Sequence, residues 1–157
     1  MKLTAKEDIE APIDEVFGQL TDFENHERAG LRRGAQVERT EQPRVRGEGQ
    51  TWQIGLDYRG KRRVFSVTLH AMDPPNSLHF ICTSKAMAGE LIVELVPLSR
   101  RRTRVSVALD VKAKTLVSRI FLQSLRLAKG RVSQGFALRV GAFLGAVEDR
   151  LAKLTQG

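Results

Sequence analysis

From Ala113 to Leu154 the apolar residues keep step with one another. Val117, Phe121, Leu125, Ala128, Val132, Phe136, Val140, Phe143, Val147, Leu151 and Leu154 follow at intervals of three or four, which is the α-helical period held in phase. The residues before this stretch mostly alternate apolar and polar in short segments, the period of strands with one buried side. The chain therefore predicts one long C-terminal helix laid across a curved antiparallel sheet. A single straight helix over Thr115 to Lys153 would run about 58 Å, against a diameter of about 40 Å for a domain of this size. Gly130, Gly135, Gly141 and Gly145 each weaken it by about 1 kcal/mol relative to alanine. A break is expected near Gly130 to Gly135, leaving Leu116 to Lys129 as a separate apolar piece and Arg131 to Lys153 as the gripping helix.

In chain order, Leu3, Ala5, Glu7 and Ile9 alternate with polar neighbours as a first strand, with Glu7 unexpectedly on the apolar side. Pro12 suits a helix start, and Asp14 and Glu15 suit its positive end. Ile13, Val16, Phe17 and Leu20 form its apolar face. Thr21 or Asp22 caps a second short helix, Phe23 to Arg28, which Gly30 is expected to end. Strands follow at Ala35 to Glu41 and Trp52 to Arg59, with a turn over Arg44 to Gly49 between them. Gly60-Lys61 makes a hairpin turn into the return strand of Phe65, Val67, Leu69 and Ala71. Asp73-Pro74-Pro75-Asn76 is the next turn. Segments around Leu78 to Thr83, Glu90 to Leu95 and Thr103 to Val111 complete about seven strands, with a basic turn at Leu98 to Arg102. The fold class is α+β, and residues 1–157 are expected to form one domain.

Particular residues carry a family resemblance. Ile9-Glu10-Ala11-Pro12-Ile13-Asp14-Glu15-Val16-Phe17, followed by Leu20-Thr21-Asp22, resembles the opening of the START-like (SRPBCC) superfamily, and within it the polyketide cyclase/dehydrase and lipid-transport branch. Gly47-Glu48-Gly49, Arg59-Gly60-Lys61 and Met72-Asp73-Pro74-Pro75 with Leu78 look like the same family's punctuation. The resemblance implies the helix-grip fold shared with the birch-pollen allergen. It also implies a shared cavity rather than a shared set of reacting residues, so no catalytic residue carries over.

The cavity reading rests on the inward strand positions and the facing helix. Trp52, Ile54, Leu56, Tyr58, Val67, Leu69, Phe80, Leu91 and Val93 would line it from the sheet, and Phe136, Val140 and Phe143 from the helix. Apolar walls with a few polar groups are what small-molecule pockets use. Tyr58, Arg139 and Glu7 are the candidate polar points. The first expectation is a hydrophobic small molecule or lipid held between sheet and helix. The second, permitted by the resemblance, is a cyclase or dehydratase acting on a polyketide-like substrate. The third is a lipid or quinone chaperone that docks on an anionic membrane through the basic segment 114–131, since Ala113 to Leu154 holds eight basic residues and two acidic ones.

Other chemistries lack their residues. His26, His70 and His79 stand at no metal-ligand spacing from one another. The lone Cys82 lies on an apolar strand face, with His79 pointing the opposite way. No nucleophile elbow or phosphate-binding glycine loop occurs. Metal and cofactor are expected to be none. The net charge of +8 favours an anionic partner, but there are only nine aromatic residues, most of them at core-like positions, which argues against nucleic acid. No apolar run approaches the roughly 20 residues of a membrane span. The start of the sequence has no signal-peptide core, and with one cysteine this points to the cytoplasm.

Overall fold

The computed structural model describes residues 1–41, 47–58 and 60–156. β1 (Lys2–Ile9) leads into α1 (Ile13–Leu20) and α2 (Phe23–Arg32). Six strands follow: β2 (Gln36–Glu41), β3 (Thr51–Tyr58), β4 (Lys61–Asp73), β5 (Ser77–Thr83), β6 (Met87–Ser99) and β7 (Arg102–Ala113). The chain closes with α3 (Leu116–Leu127) and α4 (Lys129–Gln156). The strands form one antiparallel sheet in the order β1-β7-β6-β5-β4-β3-β2. Every neighbour but one follows in sequence, so hairpins suffice, and only the β1–β7 pairing closes over a long loop. Asp8 helps fasten that pairing. The Arg104 side chain, and less strongly Arg102, holds its carboxyl below the ordinary aspartate range.

The alternation assigns the inward face as expected. Across the sheet, Leu69 pairs with Phe80, Phe80 with Leu91, Leu91 with Leu109, and Leu109 with Leu3. Predicted ends fall within a residue or two of the observed ones except at β4 and β6, which extend up to four residues beyond the predicted Phe65 to Ala71 and Glu90 to Leu95, and the tight hairpin forms with Tyr58 opposite Lys61. Gly60 sits at φ 74°, a left-handed conformation that glycine adopts without cost. Arg59, and Arg44 of the predicted turn, lie outside the described residues.

Two helix expectations are corrected. Gly30 does not end α2, which continues to Arg32 and gives way at Gly34, φ 89°. A Cβ on Gly30 would stand 3.3 Å from Val37 Cγ2, so this glycine serves close packing of α2 on β2. The break in the C-terminal stretch comes at Ala128 (φ −108°, ψ 30°) rather than at Gly130 to Gly135. Gly130 then falls in the first turn of α4, where amides have no intrahelical partner to lose. α4 runs unbroken through all four glycines for 28 residues, about 42 Å, which matches the width of the domain. α3 has its own start signal. Thr115 Oγ1 accepts from the Ser118 amide at 3.1 Å, and Ser118 Oγ accepts from the Thr115 amide at 3.0 Å.

α4 packs against β1 and α1. Its buried line is Leu144, Val147 and Leu151, which join Ile9, Val16, Phe17, Leu69, Leu78, Leu95 and Val105 in one core cluster. The Glu10 amide donates to Glu148 Oε2 at 2.7 Å, tying the helix to the end of β1. Over residues 140–147 the inward residue is therefore Leu144, 2% exposed, and not Phe143, 47% exposed. Leu144→Ala should cost about 2–5 kcal/mol in urea unfolding, and Phe143→Ala well under half of that. Equal costs for the two would show that the helix is turned the other way.

Candidate functional site

Burial along the concave face runs in a gradient. At the end beneath α1 and the second half of α4, Leu69, Leu78, Leu95 and Val105 are sealed. Toward the other end most inward positions are only half-buried: Val67, Cys82, Leu91, Val107, Leu109 and Val111, with Leu3 beside Leu109 the buried exception. The first half of α4 lies at intermediate depth too, at Val132, Phe136 and Val140. An apolar trough thus runs on from the sealed core, walled by the middle strands.

Aromatic rings close the trough toward α2. Phe23 stands 5.0 Å from Trp52 and edge-on to Phe80 at 6.5 Å, both between ring centroids. Such tilted and edge arrangements are those that aromatic quadrupoles favour. Trp52 Nε1 donates to Glu27 Oε1 at 2.9 Å, and Arg39 binds the same oxygen. His26 lies against Phe143 at 5.4 Å. Its Nε2 faces the carbonyls of Gln19 and Leu20 at 3.0 and 3.1 Å. Both partners are acceptors only, so Nε2 carries the hydrogen. Phe23, His26 and Glu27 were not among the residues expected at the site. The signal for them was available, since the predicted second helix starts at Phe23 and must lie under one end of the sheet.

The predicted lining residues divide into three groups. Trp52, Leu69 and Val93 are buried, Leu69 completely, so Leu69 belongs to the sealed core. Ile54, Leu56, Val67, Phe80, Leu91, Phe136 and Val140 are half-buried. Arg139 and Phe143 are exposed. Glu7 is also exposed, at the β1 edge, where a Cβ on Gly141 would come within 2.9 Å of its Oε1. The Tyr58 side chain lies outside the described residues. Burial pushes the Cys82 thiol above its ordinary pKa, so it stays protonated and unreactive at neutral pH. Among the described residues no group of His, Cys, Asp and Glu could hold a metal. Among the described residues no helix is long and apolar enough to cross a membrane. An open concavity of about 480 Å³ on the convex side is lined by Asn76, Ser77, His79, Ile92, Glu94 and Val96 among others. It lies away from the trough, and Ala71, Ile92 and Val96 share its lining with the polar Asn76, Ser77, His79 and Glu94.

No family model and no curated protein matches the sequence. Among solved structures, the Zhui aromatase/cyclase from Streptomyces sp. R1128 aligns with a TM-score of 0.68 and 16% identity, over 96% of this chain and 95% of its own. Norcoclaurine synthase from Thalictrum flavum, in complex with dopamine and hydroxybenzaldehyde, gives 0.69 at 9% identity, over 98% of this chain and 87% of its own. A START superfamily protein from Mycobacterium smegmatis gives 0.55 at 14% identity, over 88% and 98%. This chain has the START-like helix-grip fold. At such identities the likeness is one of architecture, and it bears out the α+β helix grip expected from the sequence.

In this helix grip Glu27 is the polar keystone of the aromatic end. Glu27→Ala removes the acceptor of the Trp52 indole and leaves Arg39 unpaired, which should lower stability by about 1.5 kcal/mol. Trp52 is the sole tryptophan, so its emission maximum should shift in the folded variant. An unchanged spectrum would mean that the indole is not held by Glu27.

Proposed function

We propose that the protein binds a hydrophobic small molecule or lipid in the trough between the sheet and the first half of α4, as a carrier or sensor. The observation that carries this reading is the burial gradient. Apolar residues that point between helix and sheet are left half-open at one end only, at Val67, Leu91, Val107, Leu109 and Val111. Covering that surface with an apolar ligand gains about 25 cal/mol per Å² removed from water. Phe23 and Phe80, both half-buried beside the buried Trp52, offer flat rings to an unsaturated ligand. Entry requires movement of the first half of α4, and the non-helical Ala128 ahead of it provides a pivot.

The named structural neighbours include an aromatase/cyclase and a synthase, which keeps an enzymatic reading in view. The described inward positions of the trough are apolar apart from the protonated Cys82 thiol, Arg139 is exposed, and Glu7 is exposed at the β1 edge with its carboxylate beside Gly141. Binding is therefore preferred over catalysis. No cofactor or metal enters this reading, and neither does nucleic acid.

The neutral probe N-phenyl-1-naphthylamine accepts tryptophan emission, so Trp52 reports its binding directly. Saturable energy transfer from Trp52 is expected. The double variant Leu91→Phe/Val107→Phe fills the trough and should weaken binding about ten-fold or more, or about 1.4 kcal/mol, while remaining folded. Undiminished transfer in the folded double variant would sink this placement of the pocket.

A further inference from the structure

α3 wears its apolar residues on the outside. Successive helical residues advance by about 100°, which sets Leu116, Ile120 and Leu127 on one line with Val117 and Phe121 beside it. Ser118, Leu122 and Leu125 form the opposite, inward face. The outward residues are 73% (Leu116), 57% (Ile120), 93% (Leu127) and 78% (Val117) exposed, and Phe121 is exposed as well. The sequence stripe through Val117 and Phe121, expected to face the sheet, is thus turned to solvent. Monomeric surfaces seldom carry so many large apolar residues together.

The charge around this face has one sign. No Asp or Glu occurs between Asp110 and Glu148. Arg119 and Arg126 flank the apolar line on one side, and Lys129 and Arg131 follow at the start of α4, all four exposed. Lys114 is occupied, donating to Thr83 Oγ1 and the Ser84 carbonyl at 2.6 and 2.8 Å. A second copy of this chain would match the apolar line but crowd like charges together. A bilayer with anionic lipids matches both, since it accepts apolar side chains below a negatively charged layer.

We propose that α3 is a membrane-docking helix. It lies in the plane of an anionic bilayer surface, with Leu116, Ile120 and Leu127 inserted and Arg119 and Arg126 at the headgroups. The surface would dock whether or not the trough holds a ligand, because none of its residues lines the trough. α3 nevertheless packs on β7, whose half-buried Val111 lies at the half-open end of the trough. Docking would bring that end close to the lipid.

Flotation of the full chain with vesicles tests this. Recovery is expected with phosphatidylcholine–phosphatidylglycerol vesicles at low salt and not with phosphatidylcholine alone. Arg119→Gln and Arg126→Gln should each reduce partitioning about five-fold. Ile120→Ser/Leu127→Ser should abolish flotation with the circular dichroism unchanged, since both side chains are exposed. Leu31→Ser, an exposed apolar site on α2, should have no effect. No flotation with anionic vesicles, or flotation indifferent to the Ile120/Leu127 pair, would overturn the assignment. So would a dimer in sedimentation equilibrium that the Ile120/Leu127 pair dissolves, which would give the face to a second copy.

Discussion

One helix seals only half of one sheet, and the rest of the structure follows from that. Leu144, Val147 and Leu151 of α4 share a closed core with Ile9, Leu69, Leu95 and Val105. Beyond Val140 toward its N-terminus, α4 no longer closes down on the strands, and the inward residues there stay half-open. The sheet cannot relieve this by flattening, because its twist follows from strand geometry and its β1–β7 edge is tied by Asp8 to Arg102 and Arg104. The apolar inward surface at that end is thus only partly covered.

The strands were legible because a period of two leaves little choice of face. Once Leu78, Phe80 and Cys82 alternate with His79 and Ile81, the inward set is fixed to within a bulge. The helices were harder, because steps of three and four are nearly equivalent on a period of 3.6. A line through Val140, Phe143 and Val147 is as regular as one through Val140, Leu144, Val147 and Leu151. Phe143 and Leu144 are both apolar, so only packing separates them, and packing against β1 and α1 selects Leu144. The same limit applied upstream. The apolar stripe from Val117 to Leu154 keeps one phase in the sequence, but the break at Ala128 uncouples the two helices, and α3 turns Ser118, Leu122 and Leu125 inward.

The site was partly legible for a related reason. The wall residues belong to strands and were found by alternation. The aromatic end depends on α2 folding back beneath the sheet; the helix itself is legible in the sequence, but which of its side chains meet the strands is decided by tertiary packing. Glu27 joins Arg39 and the Trp52 indole across 12 and 25 residues of chain. The glycines show a similar division. Those at Gly30 and Gly141, expected to end or weaken a helix, lie where a β-strand comes close, so their cost in helix propensity is offset by tight packing.

Whether an apolar ligand occupies the half-open end of the trough and nowhere else is read from methyl NMR during titration with N-phenyl-1-naphthylamine. Shifts are expected only at Ile54, Val67, Leu91, Val107, Leu109 and Val140, with Leu69, Leu95 and Val105 of the sealed core moving little. Shifts centred on Ile92 and Val96 of the convex side, or on Ile120 and Leu127 of α3, with the trough methyls still, would contradict that placement.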